Sequence, residues 1–149
     1  MNRLGKKTAV GLTVAISLFT LGVFAVNNYL HALPPEQHAY SSAALQEYLR
    51  DGKTVLVTVD ADWAIKPLDR PFFMSPDVSK IVRQKGFVTM TANWTTRSPE
   101  VDSLMAEIGR KEAPVLAVFS PENPDSPIVL NWGDKESKIV AALQSNPKQ

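Results

Sequence analysis

The sequence predicts an α/β fold, in which helices flank a mixed central sheet, preceded by one N-terminal transmembrane helix. Short β-branched runs alternate with amphipathic helical patterns through residues 41–145, and this alternation requires parallel strand pairs. Two predicted strands follow each other directly near the C-terminus, which favours an antiparallel hairpin. An uncharged, apolar run at residues 8–26 comes close to the roughly 20 residues that cross a bilayer as a helix.

The charges around the apolar run predict its orientation. Three basic side chains lie within residues 1–7, and no lysine or arginine follows before Arg50. The positive-inside rule therefore places residues 1–7 in the cytoplasm as a basic tail and residues 8–26 in the membrane as a signal-anchor. In a bacterium this is a single-pass inner-membrane protein with its C-terminal domain in the periplasm. Residues 23–25, Val-Phe-Ala, resemble a cleavage site, so a soluble periplasmic protein released from a signal peptide is the alternative.

The part that follows the apolar run divides into a linker, a domain and a tail. Residues 27–40 are predicted to form the linker, which contains two adjacent prolines and the two histidines of the chain, His31 and His38. Residues 41–145 are long enough for one domain with its own core, since domains commonly have about 100 to 150 residues. Residues 146–149 form the tail.

Each predicted helix has a start or an end signal in the sequence. Ser41 or Ser42 can cap the first helix, and Gly52 ends it. The next two helices begin with serine, proline and an acidic residue, at residues 75–77 and 98–100. The other predicted boundaries are helix ends at Gly86 and Gly109, the cap of the last helix at Asp134, and strands at residues 54–59, 87–91, 115–119 and 128–132.

The composition excludes several kinds of chemistry. The chain has 16 basic and 15 acidic residues, a formal net charge of +1, so it lacks the basic excess typical of nucleic-acid-binding proteins. Both histidines fall in the predicted linker, and we therefore predict neither a metal site nor a cofactor. The chain has no cysteine. It consequently has no thiolate, which is the nucleophile of disulfide exchange.

Several segments of the domain carry a resemblance to one family. The strand at residues 54–59 is followed by Ala61-Asp62-Trp63, and this arrangement resembles the C-terminal thioredoxin-like domain of the DsbD thiol:disulfide interchange family, whose strand ends in Ala-Asp-Trp-Cys. The resemblance covers about residues 41–145 and implies a thioredoxin-like fold. Further segments similar to motifs of that family are Ser-Pro-Asp-Val at residues 75–78, Ala-Asn-Trp-Thr-Thr-Arg-Ser-Pro-Glu at 92–100, Ile-Gly-Arg at 108–110 and Ala-Pro-Val at 113–115.

The departures from that family fall on its reactive groups. Ala64 stands at the position of the first, nucleophilic cysteine, and Pro67 at that of the second. Thr58 stands where thioredoxin-like enzymes usually have a buried aspartate. The resemblance therefore implies a protein that is not an enzyme and has no catalytic residue. It retains a vestigial active-site loop that consists of Trp63, Ala64, Ile65, Lys66 and Pro67.

A binding groove is the second feature that the resemblance implies. Pro114 resembles the cis-proline that lines the substrate groove of thioredoxin-like folds, and with Ala113 and Trp63 it defines the predicted groove. Trp63 either contacts a bound peptide or packs within the domain, whereas Trp94 is predicted to pack. The charged side chains around the vestigial loop are predicted to form a solvated face: Asp60, Asp62, Lys66, Asp69 and Arg70.

The function that these features favour is protein binding without redox chemistry. We expect a membrane-anchored periplasmic module that holds an exported or membrane protein in the groove. One alternative is an accessory component of a thiol:disulfide interchange or cytochrome-maturation system, in which a partner supplies the cysteines. A structural protein of the cell envelope is the other alternative. Nucleic acid is not expected as a partner.

Overall fold

The computed structural model describes residues 35–64, 75–131 and 133–145. The predicted basic tail, signal-anchor and C-terminal tail lie outside the described residues. Among the residues that are described, no helix is both long and apolar enough to span a bilayer. The strands are β1 (Gln37–Ala39), β2 (Val55–Asp60), β3 (Val88–Asn93), β4 (Val115–Ser120) and β5 (Asn123–Asn131), and the helices are α1 (Ser42–Arg50), α2 (Pro76–Lys85), α3 (Pro99–Glu107) and α4 (Glu136–Ser145).

The strands of the described residues form one mixed sheet in the order β1-β3-β2-β4-β5. β3 pairs in parallel with both β1 and β2. A helix connects β2 to β3, as a parallel pair of consecutive strands requires. β4 pairs antiparallel with β2 and, after a short turn, with β5. The predicted mixed sheet with a late antiparallel hairpin is thus confirmed. β2 and β4 lie at its centre, where their side chains are buried on both faces.

Helices cover both faces of the sheet, and each face has its own core. On one face, Leu45 of α1 and Leu104 of α3 pack against β2 and its neighbours through residues such as Val57. On the opposite face, the buried side chains come from α2, α4, the strands and Phe87, which precedes β3: Leu56, Val78, Val82, Phe87, Leu116, Val118, Leu130, Ile139 and Leu143. Lys85 joins the two helices of this second face, because its ammonium donates hydrogen bonds to the last carbonyl groups of α4, those of Leu143 and Gln144.

The predicted helix signals occur in the structure. Ser41, rather than Ser42, caps α1 and accepts a hydrogen bond from the Ala44 amide at 3.2 Å. Ser75 and Ser98 cap α2 and α3 in the same way, each followed by proline at the start of its helix. These caps satisfy amide groups that a helix cannot pair internally.

Three details of the sequence prediction are wrong. Residues 37–39 form β1 and not a linker, because the backbone of this short, exposed segment pairs with Thr89–Thr91 of β3. β5 begins at Asn123 instead of residue 128, since an edge strand tolerates its two prolines. Asp134 does not cap α4. Its carboxylate accepts hydrogen bonds from the Asn131 amide and the Lys138 ammonium, both at 2.7 Å.

Candidate functional site

The vestigial active-site loop begins at the carboxyl end of β2 and is tied to the loop that follows β3. The Trp94 amide donates to the carbonyl of Asp60 at 2.7 Å. The Asp62 amide donates to the Thr95 hydroxyl at 3.0 Å. A turn then returns the chain, with the Ala64 amide bonded to the carbonyl of Ala61. Two loops that are distant in sequence therefore form one surface at the end of the parallel strands.

Trp63 and Trp94 lie together on this surface but differ in their environment. Their ring centroids are 5.8 Å apart, and the ring planes are tilted by 54°. Trp94 is 4% exposed, and its indole N–H donates to the Asp102 carboxylate at 2.6 Å. Trp63 is 56% exposed. Trp94 is consequently part of the core, and Trp63 covers it while remaining more than half exposed.

An open cleft lies beside Pro114, and we call it the Pro114 cleft. It has a volume of about 550 Å³, and its lining includes Ala64, Ala113, Pro114 and Gly133. The peptide bond between Ala113 and Pro114 is cis. The structure thus brings Ala64, at the position of the family's first cysteine, to the same cleft as the predicted groove residues Ala113 and Pro114.

Trp63 does not line the Pro114 cleft, although it is part of the predicted groove. Its ring contacts that of Trp94 in a tilted arrangement, and Trp94 lines a second cleft of about 530 Å³, the Trp94 cleft. The two clefts share the residues Gly109, Arg110 and Lys111. The other loop residues of the prediction, Ile65, Lys66 and Pro67, lie outside the described residues.

The Trp94 cleft was not predicted from the sequence. Met105 of α3 and Trp94 contribute apolar surface to it. The guanidinium of Arg97 lies 4.8 Å from the centroid of a Trp94 ring, within the range of a cation–π contact. Arg97 has a φ of 48°, a left-handed conformation that non-glycine residues rarely adopt. Two signals could have indicated the position of Arg110: it lies in the Ile-Gly-Arg segment that resembles a family motif, and it is close in sequence to Ala113 and Pro114.

Asp60 contradicts the prediction of a solvated charged face. One of its carboxylate oxygens, Oδ1, is buried and has no hydrogen-bond partner. Burial raises the pKa of the Asp60 carboxyl above its ordinary value. Asp62 is exposed, as that prediction requires. The other members of the predicted face, Lys66, Asp69 and Arg70, lie outside the described residues.

Thr58 precedes Asp60 by two residues, so both side chains lie on the same face of β2. It is paired with Thr91 of β3 and Leu116 of β4. This central position is where the resemblance expects a buried acid. Within the ranges that the structure describes, no three histidine, aspartate or glutamate side chains form a group that could hold a metal ion.

This fold and site define a thioredoxin-like domain whose reactive position is occupied by alanine. A family model described as thioredoxin-like matches residues 36–121. The chain therefore belongs to the thioredoxin-like family. The match begins at the residue before β1, in agreement with the strand that the structure adds to the predicted domain. No curated protein matches the chain.

Solved structures extend this comparison. The reduced C-terminal domain of DsbD from Neisseria meningitidis is 24% identical, with 70% of this chain and 92% of that chain covered and a TM-score of 0.54. The oxidised form of that domain is 22% identical, and the match covers 75% of this chain and 100% of that chain with a TM-score of 0.53. A thioredoxin from Thermus thermophilus is 16% identical, and the match covers 75% of this chain and 86% of that chain with a TM-score of 0.58. The resemblance to the DsbD C-terminal domain is thereby confirmed as a likeness of fold.

Proposed function

We propose that the protein is a redox-inactive thioredoxin-like module that binds a segment of an exported or membrane protein in the Pro114 cleft. The observation that carries this proposal is the position of Ala64 and the cis Ala113–Pro114 bond. They line one open cleft in a chain that has no cysteine. The binding surface of a thioredoxin-like fold is therefore kept, while the nucleophile of its usual chemistry is absent.

The dimensions and lining of the cleft support binding of an extended segment. Its volume of about 550 Å³ lies within the range of roughly 300 to 1,000 Å³ that is typical of ligand sites. Ala64, Ala113 and Pro114 present small apolar side chains, which leave room for those of a partner. Backbone groups beside Pro114 can pair with the main chain of an extended peptide, as in strand-addition recognition.

Gly133 allows the cleft to be blocked without disturbing the backbone. A Cβ atom at this position would meet no atom within 4 Å, and its φ is outside the left-handed region. We expect Gly133→Phe to weaken peptide binding by about tenfold or more, because its ring occupies the cleft. Peptides are first selected from a displayed random library against the full chain in lipid nanodiscs. Their affinities are then measured by fluorescence anisotropy.

Gly133→Ala is the matched control for this experiment. It has the same backbone restriction but leaves the cleft open, so it is expected to bind the selected peptides as the wild type does. Circular dichroism establishes that both variants are folded. Selected peptides that bind Gly133→Phe as tightly as Gly133→Ala would exclude the Pro114 cleft as the binding site. A selection that enriches no peptide would count against protein binding itself.

We further propose that residues 8–26 anchor the module in the inner membrane, with the domain in the periplasm. The basic residues before this run and the absence of lysine and arginine up to Arg50 support this orientation. A reporter enzyme that is active only in the periplasm is expected to function when fused after Gln149. Activity from a cytoplasmic reporter alone contradicts the orientation. A mature chain that begins after Ala25 in mass spectrometry replaces the anchor by a cleaved signal peptide.

A further inference from the structure

Three basic side chains surround the place where the two clefts meet. Arg110 and Lys111 line both the Pro114 cleft and the Trp94 cleft, and Arg97 lines the latter. We refer to these three residues as the basic rim. The formal net charge of the whole chain is only +1, so this concentration of positive charge is a local feature and does not follow from the composition.

The Asp134 carboxylate attracts Arg110 of the basic rim electrostatically, but it forms its ion pair with Lys138. The Nε atom of Arg110 is buried and has no hydrogen-bond partner. A guanidinium group has only donors, and leaving one of them buried and unpaired is unfavourable.

Carboxylates near the clefts are largely committed to other partners. Asp102 accepts the indole N–H of Trp94 at 2.6 Å. Asp134 accepts hydrogen bonds from the Asn131 amide and the Lys138 ammonium. Glu112 lines the Pro114 cleft, but its side chain is exposed to water, which weakens its interaction with the rim. The described lining of the two clefts holds three cations and two carboxylates, Asp102 and Glu112, which leaves a small excess of positive charge.

We propose that the Pro114 cleft selects an acidic segment of its protein partner. A glutamate or aspartate of that segment accepts hydrogen bonds from Arg110 and Lys111, since guanidinium and carboxylate groups form strong charge-assisted pairs. Small apolar side chains of the same segment contact Ala113 and Pro114. This inference rests on the proposed protein-binding function and adds the charge of the bound segment to it.

The experiment compares two synthetic peptides that differ only in charge. One alternates valine with glutamate, and the other alternates valine with glutamine, so both favour an extended conformation. Fluorescence anisotropy measures their binding to the full chain in nanodiscs of uncharged lipid. We expect the glutamate peptide to bind about tenfold more tightly at low ionic strength. The difference is expected to narrow as salt is added, because salt screens exposed charges.

Charge reversal at Lys111 tests the contribution of the rim. Lys111 is exposed, so Lys111→Glu is compatible with folding. This variant is expected to remove the preference for glutamate and to favour a valine–lysine peptide instead. Arg110→Gln is expected to reduce the preference by about tenfold. Lys53→Glu is the matched control, because Lys53 is also exposed and lies at the opposite end of β2 from Ala64.

The outcomes separate this inference from the proposed function. Equal affinity for the glutamate and glutamine peptides, both lost in Gly133→Phe, overturns the selection of acidic segments and leaves protein binding intact. If Lys111→Glu and Lys53→Glu reduce the preference for the glutamate peptide equally, the selection of acidic segments is also overturned, because the preference then depends only on the overall charge of the protein. Failure of both peptides to bind overturns the inference. The library selection with the Gly133 variants then tests, independently of these two peptides, whether the protein binds peptides in the Pro114 cleft.

Discussion

Replacing Trp94 with alanine is expected to lower the free energy of unfolding by about 3 to 5 kcal/mol, the range for truncation of a buried tryptophan. Trp94 is 4% exposed and belongs to the core that α1 and α3 form on one face of the sheet. Its removal leaves a cavity there and deprives Asp102 of the indole N–H. Urea unfolding of the full chain in detergent, followed by circular dichroism, measures the change.

Two further variants separate the contributions of the tryptophan pair. Trp94→Phe keeps an aromatic ring but removes the donor to Asp102. It is therefore expected to lower the free energy of unfolding by less than Trp94→Ala does. Trp63→Ala is expected to cost about 1 kcal/mol, because Trp63 is mostly exposed and contributes mainly its contact with Trp94. Equal destabilisation by Trp63→Ala and Trp94→Ala would contradict the assignment of Trp94 to the core and Trp63 to its cover.

The wild-type chain is expected to show no disulfide reductase or isomerase activity above a control without protein. Exchange requires a thiolate, and the sequence has no cysteine. The double variant Ala64→Cys with Pro67→Cys restores the two thiols at the family's positions. We expect only weak activity from it, because Thr58 leaves the site without the acid that assists proton transfer. The activity of the wild-type chain and of the double variant is measured as the rate at which each reduces a model disulfide.

Adding Thr58→Asp to the double cysteine variant provides the matched comparison. General acid–base catalysis typically contributes at least a factor of about 100, so the triple variant is expected to be faster than the double variant by about that factor. Robust activity of the double variant would show that threonine in place of the family's aspartate at residue 58 does not limit the reaction. Turnover by the wild-type chain would contradict the assignment of the protein as redox-inactive.

The helices were predictable because their signals are local. Ser75 and Ser98 cap their helices through amide groups only three residues away, and Gly86 ends α2 in a left-handed conformation with a φ of 70°. Such signals depend on neighbours in the sequence and hold wherever the helix lies in the fold. β1 lacks a signal of this kind. It is a strand because β3 offers its backbone groups to residues 37–39.

The candidate site was predictable only in part. The resemblance indicated Ala64, Ala113 and Pro114, and these residues share one cleft. It also indicated Trp63, which lies against Trp94 beside the neighbouring cleft instead. Two residues of the basic rim, Arg97 and Arg110, lie in segments that resemble family motifs, but those segments do not indicate that both residues meet Lys111 beside two clefts.

The sequence by itself determined the class of the fold, the absence of thiol chemistry and the positions of most helices. Each of these follows from composition or from contacts between near neighbours. Only the tertiary structure decided that one carboxylate oxygen of Asp60 is buried, that Trp63 covers Trp94, and that Arg110 lies between two clefts. Burial and clefts arise where segments far apart in the chain approach one another, and no local pattern of residues specifies that approach.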